Sequence, residues 1–193
     1  LEKIARFAKD EDVLVCSDEC YVDIYAKDAP RSLLEFGTKN ILAFFSCSKR
    51  SGMTGYRSGF VAGDAPLIET FGRLRPNVGT ASQVFVDRAG AAAWSDDAHA
   101  VERRALFNEK RAVFDRFFAE KGLERAGGDG TFFLWFRAPG GDAEGYATRL
   151  LEQGGIVIIP GSYFGPGGDG FCRLALVPDL ATCRRAVEVW RRL

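Results

Sequence analysis

Ile41-Leu42-Ala43-Phe44-Phe45-Ser46-Cys47-Ser48-Lys49 is the stretch on which the fold turns. A short apolar run that passes directly into hydroxyls and a lysine reads as a strand buried on both faces, with polar residues emerging at its C-terminal end. Upstream, Val13-Leu14-Val15-Cys16 leads into Ser17-Asp18-Glu19 in the same way, and downstream Ser58-Gly59-Phe60-Val61-Ala62-Gly63 is a third run. Three strands joined by polar, glycine-bearing segments predict part of a larger α/β sheet, in which ligands gather beyond the strand ends. Before the first strand, Leu1, Ile4, Ala5 and Ala8 share one helical face. That pattern begins at Leu1 with no initiator Met and no capping residue, so a preceding segment is expected.

From Gly79 to about Gly122 the pattern turns helical. Ala81, Val84, Phe85, Ala89 and Ala92 recur at helical spacing, and a break at Ser95-Asp96-Asp97 precedes a long charged helix through Glu102, Arg103, Lys110 and Arg111. Such a helix can link two domains. After the Gly127-Gly128-Asp129-Gly130 turn, Thr131–Arg137 reads as a strand, Ala143–Gln153 as a helix, and Gly155–Ile159 and Phe171–Val177 as strands. Leu180, Cys183, Ala186, Val187 and Trp190 mark one face of a closing helix, completing a compact α+β unit.

The 193 residues are 47% hydrophobic and 12% aromatic, enough for a real core. Lys+Arg and Asp+Glu are both 26, so no basic field invites nucleic acid or an anionic membrane surface. Small neutral or acidic metabolites are the expected partners. Cysteines 16, 20, 47, 172 and 183 form no CxxC pair, which suits reduced thiols and a cytoplasmic setting. The apolar runs fall far short of the ~20 residues of a membrane span. His99, the only histidine, reads as structural; with no second histidine, a His-based triad or a His-rich metal site is excluded, and no metal is expected.

Lys49 is flanked by Ser46 and Ser48, with Ser51, Gly52, Thr54 and Gly55 behind it and Arg57 eight residues on. Hydroxyls, glycines and an arginine near one lysine suit a bound phosphate, and a partly desolvated lysine can be a nucleophile. Taken alone, a Lys-Arg pair after a strand is a solvated loop. Asp18 and Tyr21 read alone as a cap and a packing residue, although a carboxylate and a phenol also suit a pyridine ring.

The joint order is more informative. Asp18-Glu19-Cys20-Tyr21, then Ser46-Cys47-Ser48-Lys49, then Arg57-Ser58-Gly59-Phe60 resembles the fold-type I aminotransferases of classes I and II. Ile159-Pro160-Gly161-Ser162-Tyr163-Phe164-Gly165 is similar to the family's Pro-Gly-x-x-Phe-Gly segment, and Phe171-Cys172-Arg173-Leu174 carries the expected late arginine. The resemblance implies pyridoxal 5'-phosphate as cofactor, with Lys49 of the Ser-x-Ser-Lys segment as its Schiff-base lysine, Ser46 and Ser48 of that segment among the cofactor-binding residues, Asp18 and Tyr21 at the pyridine ring, and Arg57 at the phosphate. Arg173 would bind the substrate α-carboxylate. It also implies the C-terminal part of the large mixed-sheet cofactor domain (residues 1–94), an interdomain helix (95–125) and the small α+β C-terminal domain (126–193).

Ser48-Lys49-Arg50-Ser51, the stretch from Ala92 to His99, Thr131–Trp135 and Arg173–Val177 look most like succinyldiaminopimelate aminotransferases of lysine biosynthesis. The implied reaction exchanges an amino group between N-succinyl-LL-2,6-diaminopimelate and the 2-oxoglutarate/glutamate pair. An aspartate, alanine or LL-diaminopimelate aminotransferase is the nearest alternative. Family members have roughly twice this length; their phosphate loop, ring-stacking aromatic and ring-hydroxyl Asn are not recognisable here, so the isolated chain is expected to bind cofactor poorly and to be inactive. They are also homodimers, and Asn77–Gln83 is a candidate for a segment donated across the interface. Rival readings are a β-lyase or acyl-transferring synthase on the same cofactor, a cofactor-binding regulatory domain of a transcription regulator, and a non-functional scaffold.

Overall fold

The computed structural model describes residues 1–79 and 81–193; of the Asn77–Gln83 segment, Thr80 lies outside the described residues. The chain folds as two compact units, Leu1–Arg103 and Arg104–Leu193. Its architecture is mixed α/β, with one sheet in each unit among the described residues.

The first unit opens with helix α1 (Glu2–Asp10), which buries Ala5 and Ala8 against Leu33 and Ile41. Strand β1 (Val15–Asp18) lies parallel to β2 (Ile41–Ser46), and β3 (Gly59–Gly63) pairs antiparallel with β2, giving the order β1-β2-β3. β2 is the central strand, and Ile41, Leu42 and Ala43 are fully enclosed, as their unbroken apolar run requires. β1 starts two residues later than its sequence suggests. The backbone turns left-handed at Asp12 (φ 50°) and Val13 donates its N–H to Ala8 O at 3.1 Å, so the end of α1 takes the donor that a longer strand would use. Val13 and Leu14 are left exposed.

At the far end of β3, Gly63 sits so close to β2 that a Cβ there would lie 1.9 Å from Ile41 O, so only glycine fits. Between β2 and β3 runs a single helical turn, α2 (Cys47–Arg50), and a 3-10 turn (Thr54–Tyr56). Helix α3 (Ala65–Leu74) was not expected; Pro66 in its first turn is the start signal. Helix α4 (Val84–Trp94) begins after Ala81, and its Val84 and Phe85 are exposed rather than core. Its last residue, Trp94, instead packs edge-on to Phe60, which stacks on Phe45 at 4.6 Å. Helix α5 (Ala98–Lys121) starts after the Ser95–Asp97 break and continues past the boundary between the units.

The second unit holds an antiparallel sheet in the order β4-β5-β7-β6, from β4 (Arg125–Ala126), β5 (Phe133–Arg137), β6 (Ile159–Pro160) and β7 (Phe171–Ala175). Alternation sends Leu134, Phe136, Cys172 and Leu174 to one buried face. Helices α6 (Ala143–Gly154) and α7 (Leu180–Trp190) complete the unit, with Phe114, Phe117, Phe118 and Phe136 gathered around Trp190. Trp190 Nε1 donates to Tyr146 Oη at 2.8 Å, so the buried indole is satisfied. Gly155–Ile159 does not form the expected strand except at Ile159. Gly155 caps α6 in the left-handed region (φ 61°) and Ile156 N bonds back to Leu150 O, so these donors close the helix instead of a ladder.

Candidate active site

Parallel pairing sets the C-terminal ends of β1 and β2 side by side, with Asp18 in register with Phe44. Chain direction therefore delivers Asp18 and the Ser46–Lys49 turn to one edge of the sheet, where ligands collect in open α/β folds.

At the end of β1 the Asp18 carboxylate accepts from Cys20 N at 3.1 Å, a local turn of the kind short acidic side chains favour. The Cys20 thiol and this backbone N–H hold the Asp18 carboxyl below the usual carboxylate range. Cys20 is pushed up to about 11, by burial first and then by the neighbouring carboxylate. It stays a thiol, and Asp18 stays an anion. The intervening Glu19 is buried; its Oε1 accepts from Ser17 Oγ and from Leu33 N, both at 3.0 Å, which ties the strand end to the turn beginning at Leu33. Sequence reading passed over Glu19, although an acid at the end of a buried strand is the place to look for such a tie.

At the end of β2, Ser46 is in extended conformation and its hydroxyl accepts from Ser48 N at 3.1 Å, capping the turn that carries Lys49. A hydroxyl that accepts can still donate. The Lys49 ammonium lies 5.8 Å from the centroid of the Tyr21 ring, so the two residues meet across the sheet edge. The Ser48 carbonyl takes a bond from Thr54 Oγ1 at 3.3 Å, drawing the following turn back onto the lysine turn.

Arg57 closes that turn in the left-handed region (φ 52°, ψ 40°), a conformation rare for a residue with a Cβ. Its guanidinium donates to Thr54 O at 3.0 Å and is exposed. An open groove of about 880 Å³ runs past Arg57, bounded also by Gly52, Tyr56, Ser82 and Phe85. Lys49 and Asp18 do not line it, so the chemistry of the sheet edge, rather than the volume of this groove, defines the candidate site.

Arg173 belongs to the second unit. It stands on β7 opposite Trp135 and Ile159, its guanidinium 4.3 Å from the Phe133 ring centroid and 4.2 Å from that of Phe164. Two aromatic faces orient a planar cation while leaving its N–H edge for a carboxylate.

His99 Nδ1 lies 2.9 Å from Asp96 Oδ2, and its Nε2 lies 2.9 Å from Ser51 Oγ. A lone histidine thus suffices for a Ser–His–Asp line, and the histidine count does not exclude one. Among the described residues no group of three or more His, Cys, Asp and Glu side chains could hold a metal ion, and no helix is long and apolar enough to cross a membrane.

The family model for class I and II aminotransferases matches residues 1–189. An LL-diaminopimelate aminotransferase of Syntrophobacter fumaroxidans is 34% identical over 197 residues, covering all of this chain and 51% of that protein. The chain thus spans about half the length of the curated relatives it matches. Among solved structures, an aminotransferase from Neisseria meningitidis superimposes with a TM-score of 0.88 at 32% identity, over 99% of this chain and 52% of that one. A probable N-succinyldiaminopimelate aminotransferase from Thermus thermophilus gives a TM-score of 0.86 at 27% identity, over 99% and 52%.

Proposed function

This chain belongs to the class I and II aminotransferases, and from that premise we propose that it is the lysine-bearing part of an enzyme moving an amino group between an amino acid and a 2-oxo acid, with pyridoxal 5'-phosphate as cofactor. The observation that carries the reading is that an ionised Asp18 and the Lys49 turn stand at the ends of two adjacent parallel strands, with the Lys49 ammonium 5.8 Å from the Tyr21 ring centroid.

That donor set suits the cofactor. Asp18, kept anionic by Cys20, is an acceptor for a protonated ring nitrogen. The Tyr21 phenol can donate to the ring hydroxyl. Ser46 and Ser48 offer hydroxyls beside the lysine, and Arg57 offers an exposed fork of donors for a phosphate. When bound, the cofactor supplies an electron-withdrawing ring that stabilises negative charge at the substrate α-carbon. Lys49 Nζ would hold the cofactor at rest and, as a free amine, would serve as the base that takes the substrate α-proton and gives it back. Asp18 would keep the ring nitrogen protonated. Arg173, with the Phe133 and Phe164 rings against its guanidinium, would offer two parallel N–H donors to a carboxylate, the role the resemblance implies for it toward the substrate α-carboxylate.

On the amino donor, the relatives that carry the name LL-diaminopimelate aminotransferase support free LL-diaminopimelate over its N-succinyl form, with 2-oxoglutarate and glutamate as the other pair. The enzyme is proposed to be a cytoplasmic homodimer in which residues 1–94 complete the cofactor domain, 95–125 form the interdomain helix and 126–193 form the small domain. In the full-length protein, Lys49→Ala should abolish the absorbance of bound cofactor near the visible edge. An unchanged spectrum would sink the assignment.

A further inference from the structure

The turn that carries Lys49 is held, residue by residue, by Asp96, Asp97 and the first turns of α5. Arg103 Nε donates to Lys49 O at 3.1 Å. Arg50 is buried, donates to Asp96 O at 3.4 Å and forms an ion pair with the Asp97 carboxylate. Ser51 Oγ lies 2.9 Å from His99 Nε2. Gly52, at φ 69°, is covered by the Arg103 guanidinium so closely that a Cβ would meet Nη1 at 2.8 Å. Three consecutive residues are thus bonded to residues 46 to 54 positions later in the chain, and a fourth is packed against one of them, all within the first unit.

The histidine contact has a property the others lack. Asp96 does two jobs: Oδ1 accepts from Ala98 N at 2.8 Å, closing a turn at the entry to α5, and Oδ2 pairs with His99 Nδ1. This orients the ring with Nδ1 as donor, which leaves Nε2 for Ser51. A neutral ring accepts the serine O–H through Nε2, and a protonated ring donates to the serine oxygen. Either way the contact is made, because a hydroxyl can turn. The tether therefore does not depend on the charge of the imidazole. His99 and Arg103 are four residues apart on one helix, so both point at the same turn.

We infer that His99, acting through Ser51 and together with Arg103, is a positioning residue for Lys49: it fixes the backbone of the lysine turn to the start of α5, so that the amine returns to one place after each proton transfer. The inference rests on the assignment of Lys49 as the cofactor lysine. Proton transfer demands hydrogen-bond reach between Nζ and the α-carbon proton, and a lysine with four side-chain torsions meets that demand only if its backbone is anchored.

The test has one readout free of cofactor and one with it. In the chain without cofactor, hydrogen exchange is followed at Ser51 N and Met53 N, which both bond to Cys47 O inside the turn. His99→Ala should speed their exchange about tenfold, the effect of losing one anchoring bond. His99→Gln, whose amide reaches the place of Nε2, should restore wild-type exchange. In the full-length enzyme, His99→Ala should lower kcat about tenfold while leaving KM for both substrates within about twofold, and His99→Gln should recover kcat. If His99→Ala does not fold, Ser51→Ala removes the same contact from the other side and should give the same pattern. Unchanged exchange, a proportionate rise in KM, or no rescue by glutamine overturns the inference. Failure of the Lys49 assignment shows differently: Lys49→Ala would keep the cofactor absorbance, whatever the exchange result.

Discussion

Arg57 allows stability and binding to be separated by one substitution. A residue with a Cβ in the left-handed region costs about 1–2 kcal/mol, and Arg57 sits there at φ 52° with its side chain exposed. Arg57→Gly relieves that cost but gives the unfolded chain more freedom, worth about 0.4–1 kcal/mol in the other direction. The lost bond to Thr54 O is exposed and adds little. The folded chain should therefore be as stable as wild type or up to about 1.5 kcal/mol more stable. Cofactor affinity should move the other way. A charge-assisted bond to a phosphate oxygen contributes about 1.5–3 kcal/mol, so binding should weaken roughly ten- to hundredfold. Urea unfolding of the chain measures the first quantity, and a fluorescence titration of the full-length protein with pyridoxal phosphate measures the second. Arg57→Lys is the control: it keeps the strain and the charge, loses the fork, and should fall between the two in affinity. Destabilisation by more than ~1 kcal/mol in Arg57→Gly would refute the strain estimate, and unaltered affinity would refute the phosphate role.

Two further outcomes follow from the same geometry. The Asp18 carboxyl is depressed in the fold, so its contribution to stability is present above the unfolded value near ~3.9 and is lost as pH falls through the lower folded value; Asp18→Asn should flatten the stability profile of the chain below about pH 4 and cut turnover of the full-length enzyme, and an unaltered profile in urea titrations across that range would count against the Cys20 contacts. Tyr146→Phe strands the buried Trp190 N–H and should cost about 1–3 kcal/mol of the second unit's stability, measured by near-ultraviolet circular dichroism in urea; a change within ~0.3 kcal/mol would mean the indole finds another acceptor.

Much of this protein is written locally. The apolar run into Ser46-Cys47-Ser48-Lys49 determined a buried strand with polar residues beyond its C-terminal end, because burial on both faces requires unbroken hydrophobicity; that the strand is central and that Ser46 caps the turn after it were decided by the fold. The order of Asp18, Lys49, Arg57 and Arg173 determined the family, and the 3.6-residue period set the last helix to its observed ends, Leu180–Trp190. What local pattern left open were matters of competition and distance. Strand β1 starts late because the end of α1 takes the Val13 N–H, and Gly155–Ile159 yields its donors to the cap of α6; neither rivalry shows in hydropathy. Val84 and Phe85 follow a helical period yet face outward, since periodicity names a face without saying what covers it. His99 reads as structural and Arg103 as part of a charged helix, and only the fold brings them to Ser51 and Lys49, 48 and 54 residues away. A lysine and its order among other residues can be read from the chain; the anchoring of that lysine depends on distant contacts, which exist only once the tertiary structure has formed.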